Sequence, residues 1–185
     1  MISHSIKALS LTMIAAILAC DASPTAPGDE RLNPLNESST QGSVLAEIRA
    51  ATAQFHDVNA AIAAGYVRAT PCIQSTVGGE GIRYRNPALF DAVIDLRQPE
   101  ILIYEPMKNG DLRLVAVQYL VASALWDAAH SSPPSLGDQP FMDRRSPPFG
   151  AAFPNYSLVV WAWAHNPSGM YVLQNPAVSC EFADL

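Results

Sequence analysis

His165 is the histidine of this chain best placed to do chemistry. It closes the run from Ser157 to His165, whose alternation sets Val159, Trp161, Trp163 and His165 on one face of a strand, just before Asn166-Pro167. An indole wall with an imidazole at its tip suits a small-ligand pocket. It equally suits a filled core with the histidine hydrogen-bonded at its rim. Glu105, where Ile101–Tyr104 runs into a turn, is the carboxylate that could join His165, and such a pair binds a metal or shuttles a proton. Gln118 shares a strand face with Leu114, Ala116 and Leu120. Arg83, Tyr84 and Arg85, before Asn86-Pro87, read either as an anion-binding lip or as a strand edge with solvated charges. Whether Tyr84, Glu105, Gln118 and His165 share one cavity is the question these residues pose.

Nothing completes a catalytic set. The chain has no Gly-x-Ser-x-Gly, His-Glu-x-x-His or Asp-x-Asp-x-Asp-Gly motif. Gly78-Gly79-Glu80-Gly81 lacks the strand-to-helix context of a phosphate loop and reads as a flexible turn. No cofactor and no metal site is expected. A net charge of −6, with Lys108 the only lysine beyond Lys7, argues against nucleic acid as a partner.

These residues need elements to hold them. From Ser43, the residues Leu45, Ile48, Thr52, Phe55, Val58 and Ile62 recur at three- and four-residue steps, with Ser43 as N-cap and Gly65 as stop. That spacing predicts one amphipathic helix of about 20 residues, with His56 and Asp57 on its rim. Asn86-Pro87 should cap a short helix reaching Ile94. Asn109-Gly110 should turn a hairpin between Ile101–Tyr104 and Leu112–Val121, the latter apolar on both faces and therefore central. Ser123 to His130 reads as a helical turn or two, and the proline-dense stretch 131–154 as a surface excursion. Of 15 prolines, all but Pro24, Pro27 and Pro34 lie beyond residue 70, which fits turns and short strands. The fold class expected is α+β: a long N-terminal amphipathic helix packed on a mostly antiparallel sheet, open or barrel-like.

The beginning of the chain has a different character. Lys7 precedes an apolar run from Ala8 to Ala19, then Cys20 and Asp21. The run fits the ~7–15 residues of a signal peptide and falls short of a membrane span. Ile17-Leu18-Ala19-Cys20 resembles the lipobox of bacterial lipoproteins, which implies cleavage before Cys20 and diacylglycerol on its thiol. The organisation expected is a signal peptide over 1–19, a tether over 20–43 and one domain over 44–185, held at an envelope membrane facing the periplasm or the exterior. With Cys20 lipidated, Cys72 and Cys180 remain, and two cysteines in an exported chain favour a disulfide. A metal pair or a reactive thiol has no local support, because neither cysteine has a CxxC partner or a neighbouring histidine.

A wider resemblance covers roughly residues 44–181. Gly81-Ile82-Arg83-Tyr84-x-Asn86-Pro87-Ala88-Leu89, Pro99 to Pro106, Leu112 to Val121, Val160-Trp161-x-Trp163, His165-Asn166-Pro167-x-Gly169-Met170 and Asn175-Pro176-x-Val178-Ser179-Cys180 together resemble a group of uncharacterised exported bacterial proteins. The resemblance implies export but no activity. The group's pattern has histidine where this chain has Arg83 and Val159, and glutamate where it has Gln118, so it implies a metal site that is degenerate here. Three functions follow as expectations: a non-catalytic binding or accessory domain of the envelope, taking a small molecule or a partner protein; a cupin-like metal-dependent enzyme using Glu105 and His165; or an interaction protein using segment 131–154. Its partners would be a membrane, through lipid on Cys20, and a ligand for Arg83, Tyr84, Glu105, Gln118, Trp161, Trp163, His165 and Asn166.

Overall fold

The computed structural model describes the backbone of residues 34–146 and 153–183, with side chains from residue 41 onward. The signal, Cys20 and most of the expected tether lie outside the described residues. The elements are α1 (Pro34–Thr52), a 3-10 turn (Ala53–His56), α2 (Val58–Ala63), β1 (Val67–Arg68), β2 (Ile73–Ser75), β3 (Gly78–Arg85), a 3-10 turn (Pro87–Leu89), β4 (Ile101–Pro106), β5 (Leu112–Ala122), α3 (Ser123–Ala129), β6 (Ser135–Leu136), β7 (Gln139–Pro140), β8 (Met142–Asp143) and β9 (Asn155–Val160). The main sheet runs β1-β3-β4-β5-β9-β8, with β2 also paired to β3, and β6 and β7 form a separate hairpin. Every pairing is antiparallel.

The fold class needs correction at its helical part. The single long amphipathic helix expected over 43–64, packed on the sheet, does not form. Helical hydrogen bonding lapses at Ala53–His56, and Asp57 starts a fresh helix by accepting the Asn59 N–H on its side chain (2.9 Å). Ser43 lies inside α1 rather than capping it. The stripe survives as far as Phe55, since Ile48, Thr52 and Phe55 are buried. After the break the phase rotates: Ala61 is buried and Ile62 is 52% exposed. Gly65 ends the region as expected, at φ +96. No pairing closes the sheet among the described residues, so it is open rather than a barrel.

The strands follow the sequence more closely. β4 and β5 form the expected hairpin, Gly110 taking φ +84 where Asn109-Gly110 turns. β5 is buried on both faces from Leu114 to Val121. One face packs on the helical region through Ile82, Tyr84, Leu102, Tyr104, Val117 and Tyr119. The other carries Ile101, Ile103, Ala116, Leu120, Val159 and Trp161. β5 outlasts β4, so the Leu120 N–H, facing β4 beyond Ile101, is taken by the Glu100 side chain (2.8 Å). Glu100 is 2% exposed, and desolvation lifts its carboxyl pKa to about 8.

Two expectations about turns are overturned. Asn86 accepts the Ala88 N–H and Pro87 opens a helix, but only a 3-10 turn ending at Leu89. Gly78 to Gly81 is not a flexible turn but the first half of β3. There the segment 175–178 lies on the backbone, with Gly79 and Asn175 exchanging hydrogen bonds of 3.0 and 2.9 Å. A Cβ on Gly79 would stand 2.5 Å from the Val178 carbonyl oxygen. Cys72 and Cys180 are joined in a disulfide, which ties this C-terminal segment to the entry of β2.

Candidate functional site

The strand expected over 157–165 stops at Val160, and this decides where the tryptophans go. A β-bulge between β4 and β5 leaves Val115 as an extra residue. Its carbonyl accepts the N–H groups of both Trp163 (3.1 Å) and Ala164 (3.0 Å), and Ala162 bonds back to Val160 (2.8 Å). The chain bends off the strand path. Trp161 stays on the face of Val159, with its indole N–H on the Val172 carbonyl (2.7 Å). Trp163 turns to the helical face, donates to Thr52 Oγ1 (3.0 Å) and meets the His56 ring edge-on at 4.2 Å. His165 is exposed. The expected wall of Trp161, Trp163 and His165 is not assembled.

The other expected residues separate as well. Tyr84 lies on the helical face, edge-on to Tyr104. Asn166 is a corner: it accepts the Ser168 N–H and donates to the carbonyls of Val172 and Gln174. Glu105 is buried but committed, accepting the Ser179 N–H (2.9 Å) on one oxygen and the Arg113 guanidinium on the other. It fastens the C-terminal segment to the sheet and does not approach His165 as a metal partner. No group of three His, Cys, Asp or Glu side chains fit to hold a metal occurs among the described residues.

What remains together is Arg83, Gln118 and Trp161, on the face away from the helices. Arg83 pairs with Glu80 (2.5 Å), and Glu80 also accepts from Gln174 (2.9 Å). The Arg83 Nε, the Gln118 Oε1 and the Asn155 Oδ1 are buried and have no hydrogen-bond partner among the described residues. Gln118 is 4% exposed and Asn155 0%, so solvent does not relieve them.

In a flat sheet β3 and β8 would stand roughly 19 Å apart, four strand spacings. Yet Arg144, just past β8, is held below its ordinary pKa first by burial and then by the like charge of Arg83, with Glu80 opposing. The two guanidinium groups are therefore within electrostatic reach across the face of Ile101, Ala116 and Val159. Glu80, Arg144 and Asn155 were not legible as site residues. Glu80 is hidden in the glycine run and Arg144 in a basic pair, and Asn155 follows a proline-rich stretch.

Beside this face, along the border of β9, lies a cavity of about 280 Å³ reached by Arg144, Ser157, Val159, Tyr171 and Leu173. Comparison with protein-family models, with curated proteins and with solved structures gives no match for this chain.

Proposed function

We propose that this chain is an envelope lipoprotein whose folded part is a non-catalytic binding domain, taking a small polar ligand on the sheet face between Arg83 and Gln118. The supporting observation is the set of buried polar atoms without partners on that face: one donor, Arg83 Nε, and two acceptors, Gln118 Oε1 and Asn155 Oδ1. A buried group left unpaired costs about 1–3 kcal/mol, so a chain that retains three favours an occupant able both to accept and to donate. The anchor rests on Lys7, the apolar run to Ala19 and the lipobox-like Ile17 to Cys20. No helix among the described residues is long and apolar enough to cross a membrane.

Gln118→Leu tests the ligand reading without knowledge of the ligand. If Oε1 is kept for an occupant, the ligand-free variant is more stable than ligand-free wild type, by about 1–2 kcal/mol in urea unfolding. It also fails to retain any small molecule that native mass spectrometry finds on the wild type. A variant less stable than wild type places Gln118 in the architecture and ends the reading. For the anchor, Cys20→Ala should move the chain from the membrane fraction to the soluble one.

A further inference from the structure

The outer border of the sheet has a gap one residue long. Antiparallel alternation turns every second residue of β9 away from β5. Asn155 is one, its carbonyl accepting from Arg144 (2.9 Å); Ser157 is the next, opposite Met142; and after β9 ends the Trp161 N–H donates to Met170 (3.0 Å). Val159 lies between them and faces outward by the same alternation. Continuing the register of β8 and β9 would set residue 140 opposite it. That residue is Pro140, which has no N–H, and the chain has already turned away there, with the Phe141 N–H on the Pro134 carbonyl (2.9 Å). Val159 therefore holds an outward N–H and C=O with no partner among the described residues, in a residue only 4% exposed. The cavity of about 280 Å³ stands against this position.

We infer that this gap is a β-augmentation slot for one residue of an extended peptide, acidic at that residue and apolar on either side. The peptide's carbonyl accepts the Val159 N–H and its N–H donates to the Val159 carbonyl, supplying the pair that Pro140 cannot. The volume is just under the roughly 300–1,000 Å³ of pockets that enclose drug-sized ligands, which suits a short strand segment. The residue opposite Val159 directs its side chain to the face of Val159, where Arg144 lines the wall. Its neighbours direct theirs to the other face, onto Phe141, Leu158 and Tyr171. The slot uses backbone groups of Val159, whereas the ligand reading uses the side chain of its cross-strand neighbour Gln118, so a backbone-methylated peptide tests the slot alone.

The probe is an acetylated, amidated tripeptide with aspartate between two valines, titrated into the full chain and followed by amide NMR and hydrogen exchange. Binding should shift and protect the Val159 amide. Methylating the aspartate nitrogen removes the donor to Val159 and should weaken binding about tenfold or more, and lysine for aspartate should also weaken it. Equal binding of the methylated peptide, or no shift at Val159 at millimolar peptide, overturns the inference. Protection of Val159 that rises with protein concentration alone also overturns it, in favour of a second copy of this chain.

Discussion

Replacing Glu100 with glutamine should remove most of the loss of stability that this protein suffers between mildly acidic and mildly basic pH. The Glu100 carboxyl has its pKa raised from 4.5 to about 8, chiefly because burial penalises the anion, with Asp91 and Asp95 adding smaller repulsions against the hydrogen bond from Leu120. Below pH 4.5 the carboxyl is protonated whether the chain is folded or not, and it imposes no penalty. Between pH 4.5 and about 8 the unfolded chain has released a proton that the folded chain still holds, so stability falls as pH rises. The slope is ~1.4 kcal/mol per pH unit at most, which accumulates to on the order of 4 kcal/mol across the window. Above about 8 both states are ionised and the penalty is constant. Glutamine keeps an oxygen for the Leu120 N–H and carries no charge. Urea unfolding, followed by the fluorescence of the three tryptophans, at a series of pH values from 5 to 8 measures the difference between the two proteins. It should be small at the acid end and grow in favour of E100Q towards the basic end. Asp95, whose pKa is lowered by the Arg97 N–H and the Gln98 side chain, acts below this window and cannot produce the trend. Parallel pH profiles for wild type and E100Q would refute the reasoning.

Three further perturbations test the architecture. Loss of the disulfide in Cys72→Ser, which opens a loop with a sequence separation of 108, should lower stability by about 4–5 kcal/mol, read as the difference in calorimetric Tm from the oxidised wild type. Gly79→Ala and Gly110→Ala should differ in cost. The first drives a Cβ into the Val178 carbonyl and should cost about 2–4 kcal/mol, whereas the second meets open space and pays only for its positive φ, about 1 kcal/mol; equal urea midpoints for the two would contradict the close crossing over β3. Asn175→Asp keeps the acceptor for the Ala177 N–H but loses the donor to the His165 carbonyl and places a charge where exposure is 0%. It should destabilise by about 2 kcal/mol or more, more at neutral than at acid pH, which unfolding at two pH values would show.

Local signals carried well into the structure where the interaction that answers them is near in sequence. Asn109-Gly110 turns β4 into β5, and Gly65 stops α2. Asn86, Asn166 and Asn175, each before proline, all accept an N–H two residues on. The Cys72–Cys180 pair was readable by elimination once Cys20 was assigned elsewhere. What failed depends on distant partners. The stripe from Leu45 to Ile62 has helical spacing throughout, and nothing in it marks a pause, which the Asp57 cap and the anchoring of Thr52 to Trp163 impose. Gly78 to Gly81 is strand because residues 175–178 lie on it. Trp163 leaves the face of Trp161 because Val115, in a bulge that no pattern announces, captures its N–H. Of the candidate site, Arg83, Gln118 and Trp161 share a face, while Tyr84, Trp163 and His165 do not join them. Glu80, Arg144 and Asn155 enter through contacts between distant strands that periodicity does not encode.

The strap of residues 175–180 over β3 has a consequence for when this protein can fold. The ribosome delivers the chain from its N-terminal end, and β3, β4 and β5 can pair as soon as they emerge. The glycines of β3 stay bare until almost the last residues arrive, because only Asn175 to Val178 fit against them. Cys72 likewise waits for Cys180, its partner in the folded domain. A chain that has passed β5 but not reached residue 175 has the β3 glycines uncovered and the Cys72 thiol without its partner.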